Sequence, residues 1–551
     1  MDETFRIVTD PVSDSVAISA IFAALPLLTL FVLLGALRMR AWLAGLISLV
    51  VALVVAVAIY AMPVGQALLS AGEGAAFGFF PILWIVINAI WVYNLTVASG
   101  HFDVLRRSME RVSPDMRIQA VIVAFCFGAL LEALAGFGTP VAVTVVMLMA
   151  LGFKPIKAAA VALIANTAPV AFGALATPIT TLGTVTSGAA DDPRLNTDTL
   201  GAMVGRQTPV LAVVVPLVLV AVIDGRRGVK QTWPVAVLAG VVFAVAQFVA
   251  SNYISVPLTD IIASLVAAAA VILLLRMWQP VSSYAEPGGG GGGGSVAVKR
   301  DTTIEVVRAY APYLIIIVIF AIANLGPIKD ALATEPWTVK FAWPGLHVLG
   351  ENGQPLASTT FSFGWLPAAG TLMILAGVIT AVVLRVRPGR ALKAYADTYV
   401  ELRHAIVTVM AVLALAYVLN QSGQTNTLGE FLAGAGAFFV FLSSILGWIG
   451  VAVTGSDTSA NALFGALQVQ TAADAGLDPL LLAAANSSGG VLGKMISPQN
   501  LAIAAAAVGM AGKEGDIFRR VVGWSVILLL AMCVLVTLQA TPVLDWMVPS
   551  V

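Results

Sequence analysis

Two stretches of this chain interrupt long apolar runs in the same way: NTAPVAFGALATP at residues 166–178 and NSSGGVLGKMISP at residues 486–498. In both, an asparagine stands seven residues before a glycine and twelve residues before a proline, and a hydroxyl residue (Thr177 or Ser497) precedes that proline. Backbone freed by such interruptions cannot face lipid and needs protein or water around it. The pattern predicts two helices that are broken inside a protein interior.

A shorter glycine-containing motif precedes each of these stretches. It reads GFGTP at residues 136–140 and GSDTS at residues 455–459. Thr139 lies 27 residues before the asparagine of its stretch, and Thr458 lies 28 residues before the asparagine of the other. The shared order and spacing predict an internal repeat.

Composition places these motifs in a membrane. Of the 551 residues, 59% are hydrophobic and 11% are charged, against about 25% charged in soluble domains. This excludes disorder and a soluble enzyme, and the balance of 29 basic and 29 acidic residues excludes a nucleic-acid-binding surface. Cys126 and Cys533 both lie in apolar runs, so they predict neither a disulfide framework nor a metal site.

Apolar runs of membrane-spanning length recur along the chain, and each span needs about 20 residues. They lie at residues 16–37, 42–61, 76–98, 203–223, 233–250, 258–275, 309–325, 361–384, 404–420, 431–452 and 521–548. The loops rich in lysine and arginine, such as 106–117 and 226–230, are assigned to the cytoplasm by the positive-inside rule. Both termini are then predicted to lie outside.

Following these loops gives the two repeats opposite orientations. The first hairpin is entered from the cytoplasmic side and the second from outside, and each is followed by a discontinuous helix. We therefore predict an all-α polytopic membrane protein of about 12–14 membrane segments, built as two inverted repeats with re-entrant hairpins and discontinuous helices. This architecture is typical of secondary transporters, although glycine and proline could also serve only for close helix packing.

The predicted domain organisation has two membrane halves. The N-terminal half covers residues 1–279, with its hairpin and broken helix at about 118–188. The C-terminal half covers residues 309–551, with its hairpin and broken helix at about 452–510. Between them, residues 280–308 form a cytoplasmic linker that contains seven consecutive glycines, Gly288 to Gly294, which behave as flexible coil.

Three charged residues fall in these regions: Glu132, Asp457 and Lys494. A charge near the bilayer centre costs about 3 kcal/mol or more and indicates a functional site. We predict that Lys494 binds a substrate carboxylate and that Glu132 or Asp457 carries a coupled proton. The alternative is a structural ion pair between Lys494 and one of the two acids.

Polar residues of the same regions are candidates for substrate binding beside Lys494. They are Asn166, Thr139, Thr458, Asn486, Ser487, Ser488, Ser497 and Gln499. Each could instead cap a half-helix. The three histidines are scattered and form no metal-binding pattern, so neither a metal nor a cofactor is expected.

Five longer strings resemble those of the bacterial lactate permease family: LEALAGFGTPVAV (131–143), NTAPVAFGA (166–174), DGRRGVKQTWP (224–234), GVAVTGSDTSANALF (450–464) and ANSSGGVLGKMISPQNLAIAAAAVG (485–509). The resemblance covers nearly the whole chain and is weakest over 281–300 and 326–360. It implies a proton-coupled symporter of L-lactate, D-lactate and glycolate in the inner membrane. It supplies the substrate, whereas the residues themselves indicate only a carrier of an anion or polar solute.

Competing functions are less consistent with the sequence. A sodium- or proton-coupled carrier of another organic anion would use the same scaffold, but a single intramembrane lysine favours one carboxylate over two. A membrane-embedded hydrolase needs a base beside its nucleophile, and Ser456 has no histidine in the broken regions. A channel would show a continuous polar stripe along unbroken helices, which is not found. The expected partners are a small anion, a proton and the bilayer; the sequence leaves the oligomeric state open.

Overall fold

A computed structural model describes residues 4–136, 138–285, 301–323, 325–351, 353–510 and 513–550. Within these residues, ten helices are long and apolar enough to cross a membrane, and three shorter apolar helices accompany them. The prediction of a helical, polytopic membrane protein is confirmed. The predicted linker glycines Gly288 to Gly294 lie outside the described residues, so the boundary between the halves stays a prediction.

A first set of helices precedes the linker. In chain order they are α1 (Val16–Phe31), α2 (Ala41–Ala58), α3 (Val64–Phe77), α4 (Trp84–Ala98), α5 (His101–Glu110), α6 (Met116–Gln119), α7 (Gly128–Ala135), α8 (Thr139–Ala150), α9 (Pro155–Ala165), α10 (Thr177–Thr186), α11 (Thr197–Val204), α12 (Thr208–Ala212), α13 (Val215–Val249) and α14 (Thr259–Met277). Wider π-helical turns at Val32–Ala36, Gly78–Leu83, Ala120–Phe127 and Ala250–Ile254 continue α1, α3, α6 and α13. Because the turn at 120–127 joins α6 to α7, Met116–Ala135 forms one uninterrupted helical span.

The helices that follow the linker are α15 (Thr303–Ala323), α16 (Gly326–Leu332), α17 (Ala369–Val383), α18 (Pro388–Gln421), α19 (Gln424–Ala433), α20 (Phe439–Thr454), α21 (Asp457–Asp474), α22 (Pro479–Gly490), α23 (Pro498–Ala507) and α24 (Glu514–Gln539). Short strands lie in the N-terminal segment before α1 and in the connection between α16 and α17. The strand β1 (Phe5–Arg6) pairs in parallel with β3 (Val348–Leu349), and β2 (Thr338–Ala342) pairs antiparallel with β4 (Thr360–Gly364). An all-α prediction omits these strands because they lie in polar connections, where aromatic and β-branched residues favour extended backbone.

Two arginines, the buried Arg117 and the partly buried Arg194, mark opposite ends of the helices. Arg117 donates to Asp115, to Asp224 and to the carbonyl oxygen of Ser282, and we name that end the Arg117 side. The other end, the Arg194 side, is held by Arg194, whose guanidinium donates to Asp192, to Asp478 and to the carbonyl oxygen of Pro549. Arg206 lies on the Arg194 side, because it donates to Asn252 and to the carbonyl oxygen of Met547, two residues before Pro549. Arg117 also donates to Gln231, so about 30 Å of α13 and its π turn, from Gln231 to Asn252, separate the two ends.

The first hairpin consists of Met116–Ala135 and α8. It begins beside Arg117 and turns at Gly136–Gly138; α8 then leads back to α9, whose Lys157 donates to the carbonyl oxygen of Ile223 near the same end. Both ends of this hairpin therefore lie on the Arg117 side. A discontinuous helix follows, in which α9 ends at Ala165 and α10 resumes at Thr177 and runs toward the Arg194 side.

The second hairpin consists of α20 and α21 and turns at Gly455. Val440 at its start and Asp478 just after its end both line a surface cleft with Arg194, so both ends of this hairpin lie on the Arg194 side. Its discontinuous helix comprises α22 and α23 and is interrupted at residues 491–497. The two hairpins thus enter from opposite ends of the molecule.

Helices from both ends of the chain pack together in two groups. In the first, α18 packs against α2, α3 and α4, while α1 packs against α19. In the second, which we name the hairpin bundle, α20 packs against α22 and α24, α9 packs against α24, and α10 packs against α21. The bundle surrounds both hairpin turns and both helix breaks.

Candidate functional site

The two hairpin turns and the two helix breaks enclose one cavity of about 50 Å³. At one water per 10–15 Å³ of such space, it holds about four waters or a small organic solute. Its walls are formed by Glu132, Gly136, Gly138, Val170, Gly173, Ala174, Thr177, Pro178, Gly455, Ser456, Asp457, Thr458, Lys494, Gln499 and Asn500. Both hairpin turns and both helix breaks thereby face a single space.

Four helices of the described chain begin at this cavity. The cavity wall contains Gly138, just before α8, and one residue from the first turn of each of the other three helices. These are Thr177 in α10, Asp457 in α21 and Gln499 in α23. A helix N-terminus presents unpaired N–H groups and a partial positive charge. Four such ends around one cavity favour a bound anion.

Backbone geometry at the turns depends on glycine and on strained residues. Gly138 has φ = +87° and Gly455 has φ = +76°, a region that other residues rarely adopt. In the first break, Leu175 and Ala176 also have positive φ, at +47° and +58°. Non-glycine residues in this region cost on the order of 1–3 kcal/mol each.

Lys494 forms a buried ion pair with Glu132 at the cavity wall. Its Nζ lies 2.7 Å from Glu132 Oε1, and the two side chains are 9% and 3% exposed. The other carboxylate oxygen, Oε2, accepts a 2.9 Å hydrogen bond from Asn166 Nδ2. The pair joins the second break to the first hairpin, so residues 362 positions apart in the chain meet in one contact.

Asp457 lies in the same cavity without a cation in direct contact among the described residues. Its Oδ2 accepts hydrogen bonds from Ser487 Oγ at 2.6 Å and from Asn461 Nδ2 at 3.3 Å. Its Oδ1 has no hydrogen-bond partner among the described residues. One lysine and two carboxyl groups therefore share the site, which carries a net charge of −1 when all three are ionised.

The structure brings only some of the predicted polar residues to the cavity. Thr458 and Gln499 line it directly, whereas Asn166 and Ser487 reach it through Glu132 and Asp457. The other four do not line it. They are Thr139 at the start of α8, Asn486 bonded to Asn461, Ser488 bonded to Gln207, and Ser497 bonded to the carbonyl oxygen of Lys494. Direct substrate contact by any of the eight stays a prediction.

Sequence reasoning missed two asparagines. Asn461 donates to the carbonyl oxygen of Pro178 at 3.1 Å and so joins the second hairpin to the first break. Asn500 lines the cavity and donates to the carbonyl oxygen of Gly455. The position of Asn461 four residues after Asp457, on the same helical face, was the available signal.

Comparisons with known proteins identify the family of this chain. The family model for L-lactate permease matches residues 19–543. The L-lactate permease of Escherichia coli (strain K12) is 42% identical over 552 residues, covering 98% of this chain and 98% of that protein. The glycolate permease of the same strain is 41% identical, covering 95% and 96%, and the L-lactate permease of Bacillus subtilis (strain 168) is 39% identical, covering 98% and 99%.

A solved structure, that of the Alcanivorax borkumensis YdaH transporter, is a more distant likeness. It covers 85% of this chain and 86% of its own, with 16% sequence identity and a TM-score of 0.45. Sequence similarity to the permeases is far stronger and extends over nearly the whole chain. The chain belongs to the L-lactate permease family.

Proposed function

We propose that this protein is a secondary active transporter that takes up L-lactate, and the related D-lactate and glycolate, together with protons. The observation that carries the proposal is the Lys494–Glu132 pair in a cavity surrounded by helix N-termini. Lactate and glycolate each present one carboxylate and one hydroxyl group to such a site. The names of the permease relatives support this choice of substrate class.

The ion pair supplies a way to couple the proton to the substrate. Lys494 cannot bind a substrate carboxylate at full strength while its Nζ donates to Glu132 at 2.7 Å. When Glu132 takes up a proton, its attraction for the ammonium group weakens, and Lys494 is released to the substrate. Proton and substrate then favour each other's binding, as thermodynamic linkage requires of a symporter.

Charge balance assigns a complementary role to Asp457. An anion added to a site with one lysine and two ionised acids makes the net charge more negative, from −1 to −2, which is costly at low dielectric. With Glu132 protonated the loaded site returns to −1, and with Asp457 protonated as well it becomes neutral. Asp457, whose Oδ1 has no partner in the described chain, is the second acid that can hold a coupled proton.

The hairpins provide the moving parts of the proposed cycle. They enter from opposite ends and meet at the cavity, as expected of inverted repeats in transporters that alternate access. We assign the Arg117 side to the cytoplasm because the basic loops lie there, which places the Arg194 side and both termini outside the inner membrane. Movement of the hairpin bundle against the first group of helices would expose the cavity to each side in turn.

The test is uptake of labelled L-lactate by purified protein in liposomes under an inward proton gradient without sodium. We expect accumulation that glycolate competes for and succinate does not. Glu132→Gln and Asp457→Asn should each reduce gradient-driven accumulation, whereas Asp198→Asn, at a side chain that is 64% exposed on the Arg194 side, serves as the matched control and should not.

The outcomes separate the parts of the proposal. Competition by succinate would replace a monocarboxylate with a dicarboxylate substrate. Accumulation that requires sodium would replace the coupling ion. Full proton-driven accumulation by both acid variants would contradict the coupling role of Glu132 and Asp457 and leave lactate transport standing.

A further inference from the structure

A third acid, Asp260, is buried in the hairpin bundle outside the cavity. Its side chain lies in the first turn of α14, and the residue is 2% exposed. Its Oδ1 accepts a 2.9 Å hydrogen bond from Gln247 Nε2, and its Oδ2 has no partner among the described residues. No lysine or arginine forms an ion pair with it in the described chain, so the cost of an isolated buried carboxylate is not offset by a cation.

Its surroundings connect it to the first helix break. The same Gln247 Nε2 donates to the carbonyl oxygen of Ala168, inside the break. Two residues earlier, Asn166 donates to Glu132. The helix α14 also packs directly against α7, which carries Glu132. Asp260 is thus connected to Glu132, the acid that pairs with Lys494, through the side-chain amide of Gln247 and the backbone of residues 166–168.

Asp260 lies on the Arg194 side of that acid. It follows the loop of residues 255–258, which comes directly after the π turn containing Asn252, the contact of Arg206 at that end. The 3₁₀ turn Val256–Leu258 packs against the turn Ala174–Ala176 in the first break. The carboxyl group therefore stands between the Arg194 side and Glu132.

The other titratable groups around α14 are few. On the elements that pack against it they are Glu132 on α7, Cys126 in the π turn Ala120–Phe127, Tyr253 in the π turn Ala250–Ile254, and Asp224, Arg226, Arg227 and Lys230 on α13. On α14 itself, Arg276 lies near the C-terminal end. The charged residues of α13 lie at least 17 residues before Gln247, about 25 Å along the helix. Of these charged groups, Glu132 lies on α7, which packs directly against α14.

We propose that Asp260 is a proton-binding residue of the transport cycle, which takes a proton from the Arg194 side and passes it to Glu132. This rests on the proposed proton symport. A hydronium ion on that side gives a proton to the Asp260 carboxylate and remains as water, and the Asp260 carboxyl group then gives that proton to the Glu132 carboxylate. Glu132 then releases Lys494 to the substrate carboxylate. Two nearby acids that share one proton avoid placing two like charges in the same low-dielectric region.

A purely structural role is the competing explanation. An acid in the first turn of a helix interacts favourably with the helix dipole and needs no proton transfer. The two explanations differ in what asparagine should do. It keeps the shape and the hydrogen bond with Gln247 but cannot carry a proton.

The experiment compares wild type with Asp260→Asn and Asp260→Glu in liposomes that contain a pH-sensitive dye. Lactate-driven proton entry and lactate exchange at equal concentrations on both sides are measured on the same preparation. We expect Asp260→Asn to keep the rate of lactate exchange within about twofold of wild type. The same variant should reduce the rate of lactate-driven proton entry at least tenfold. Asp260→Glu should restore proton entry, and Asp198→Asn should behave as wild type.

Three results would overturn the proposal. These are wild-type proton entry in Asp260→Asn, equal loss of exchange and proton entry in that variant, or failure of Asp260→Glu to restore proton entry. If Asp260→Asn does not fold, Gln247→Leu keeps the acid and removes its donor; an unchanged pH midpoint of lactate uptake would then contradict the proposal. Wild-type lactate uptake without proton entry would instead refute the proposed symport itself, before any variant is compared.

Discussion

Replacing Glu132 by glutamine tests whether the ion pair competes with the substrate for Lys494. The pair is a hydrogen bond between charged groups, which contributes about 1.5–3 kcal/mol, whereas a neutral amide acceptor in the same place contributes about 1 kcal/mol. The difference of about 0.5–2 kcal/mol becomes available to the substrate carboxylate. At 1.4 kcal/mol per tenfold, lactate should bind about 2- to 30-fold more tightly.

The gain should depend on pH. In wild type, the proposed symport couples lactate binding to proton binding, so lactate should bind more weakly as the proton concentration falls. In Glu132→Gln there is no acid at this position, and lactate binding should depend much less on pH. Gradient-driven accumulation should fall at the same time, because the proton that accompanies the substrate has lost its site.

The assay is equilibrium binding of labelled lactate to purified protein at several pH values, with thermal unfolding measured in parallel to verify the fold. Asp198→Asn is the matched control, since it removes one exposed carboxylate far from the cavity. Weaker binding than wild type at pH 8, in folded protein, would refute the competition between Glu132 and the substrate. Unchanged pH dependence would refute the identification of Glu132 as the coupled acid.

Three further predictions concern local contacts. Lys494→Ala should lower lactate affinity at least tenfold in the same binding assay. It should also destabilise the fold by about 3–5 kcal/mol, because it leaves a buried carboxylate without its cation. Unchanged affinity would place the carboxylate site elsewhere. Gly455→Ala should lower the free energy of unfolding by about 1–2 kcal/mol, because φ is +76° there. Gly515→Ala is the control and should not lower it, because an added Cβ meets nothing within 4 Å. Equal effects of the two substitutions on thermal unfolding would contradict the argument. Arg194 holds the pKa of Asp192 below its ordinary value through a side-chain hydrogen bond, so this stabilisation is present above about pH 4 and is lost as the pH falls through the lowered pKa. Arg194→Ala should therefore be less stable than wild type near neutrality, and the difference in stability should shrink in acid. A difference in stability that stays constant with pH would be inconsistent with this.

The helix breaks were predictable because their causes are local. Glycine and proline at fixed distances from Asn166 and Asn486 interrupt a helix whatever surrounds it, and the structure ends α9 at Ala165 and α22 at Gly490. Charges in apolar sequence were equally visible, and Glu132, Asp457 and Lys494 all line the cavity.

Pairings between the two repeats were not predictable, because they depend on packing. Sequence alone left Lys494 with two possible acids, and only the meeting of the second break with the first hairpin selects Glu132. Equivalent positions also diverge: Thr458 lines the cavity, whereas Thr139, its counterpart in the repeat, does not. A match in spacing fixes the position along a helix, but the neighbouring helices determine which side chain reaches the cavity.

The Lys494–Glu132 contact joins residues that are 362 positions apart in the chain. At 5–20 residues per second, the ribosome needs about 20–70 s after making Glu132 before it adds the lysine that neutralises it. During that interval the first hairpin is already synthesised, but its carboxyl group has no counter-charge. The nascent chain must therefore keep this acid protonated, hydrated or shielded by the insertion machinery until the last part of the protein arrives. A substitution at Lys494 would then reduce the yield of inserted protein as well as the affinity of the finished transporter.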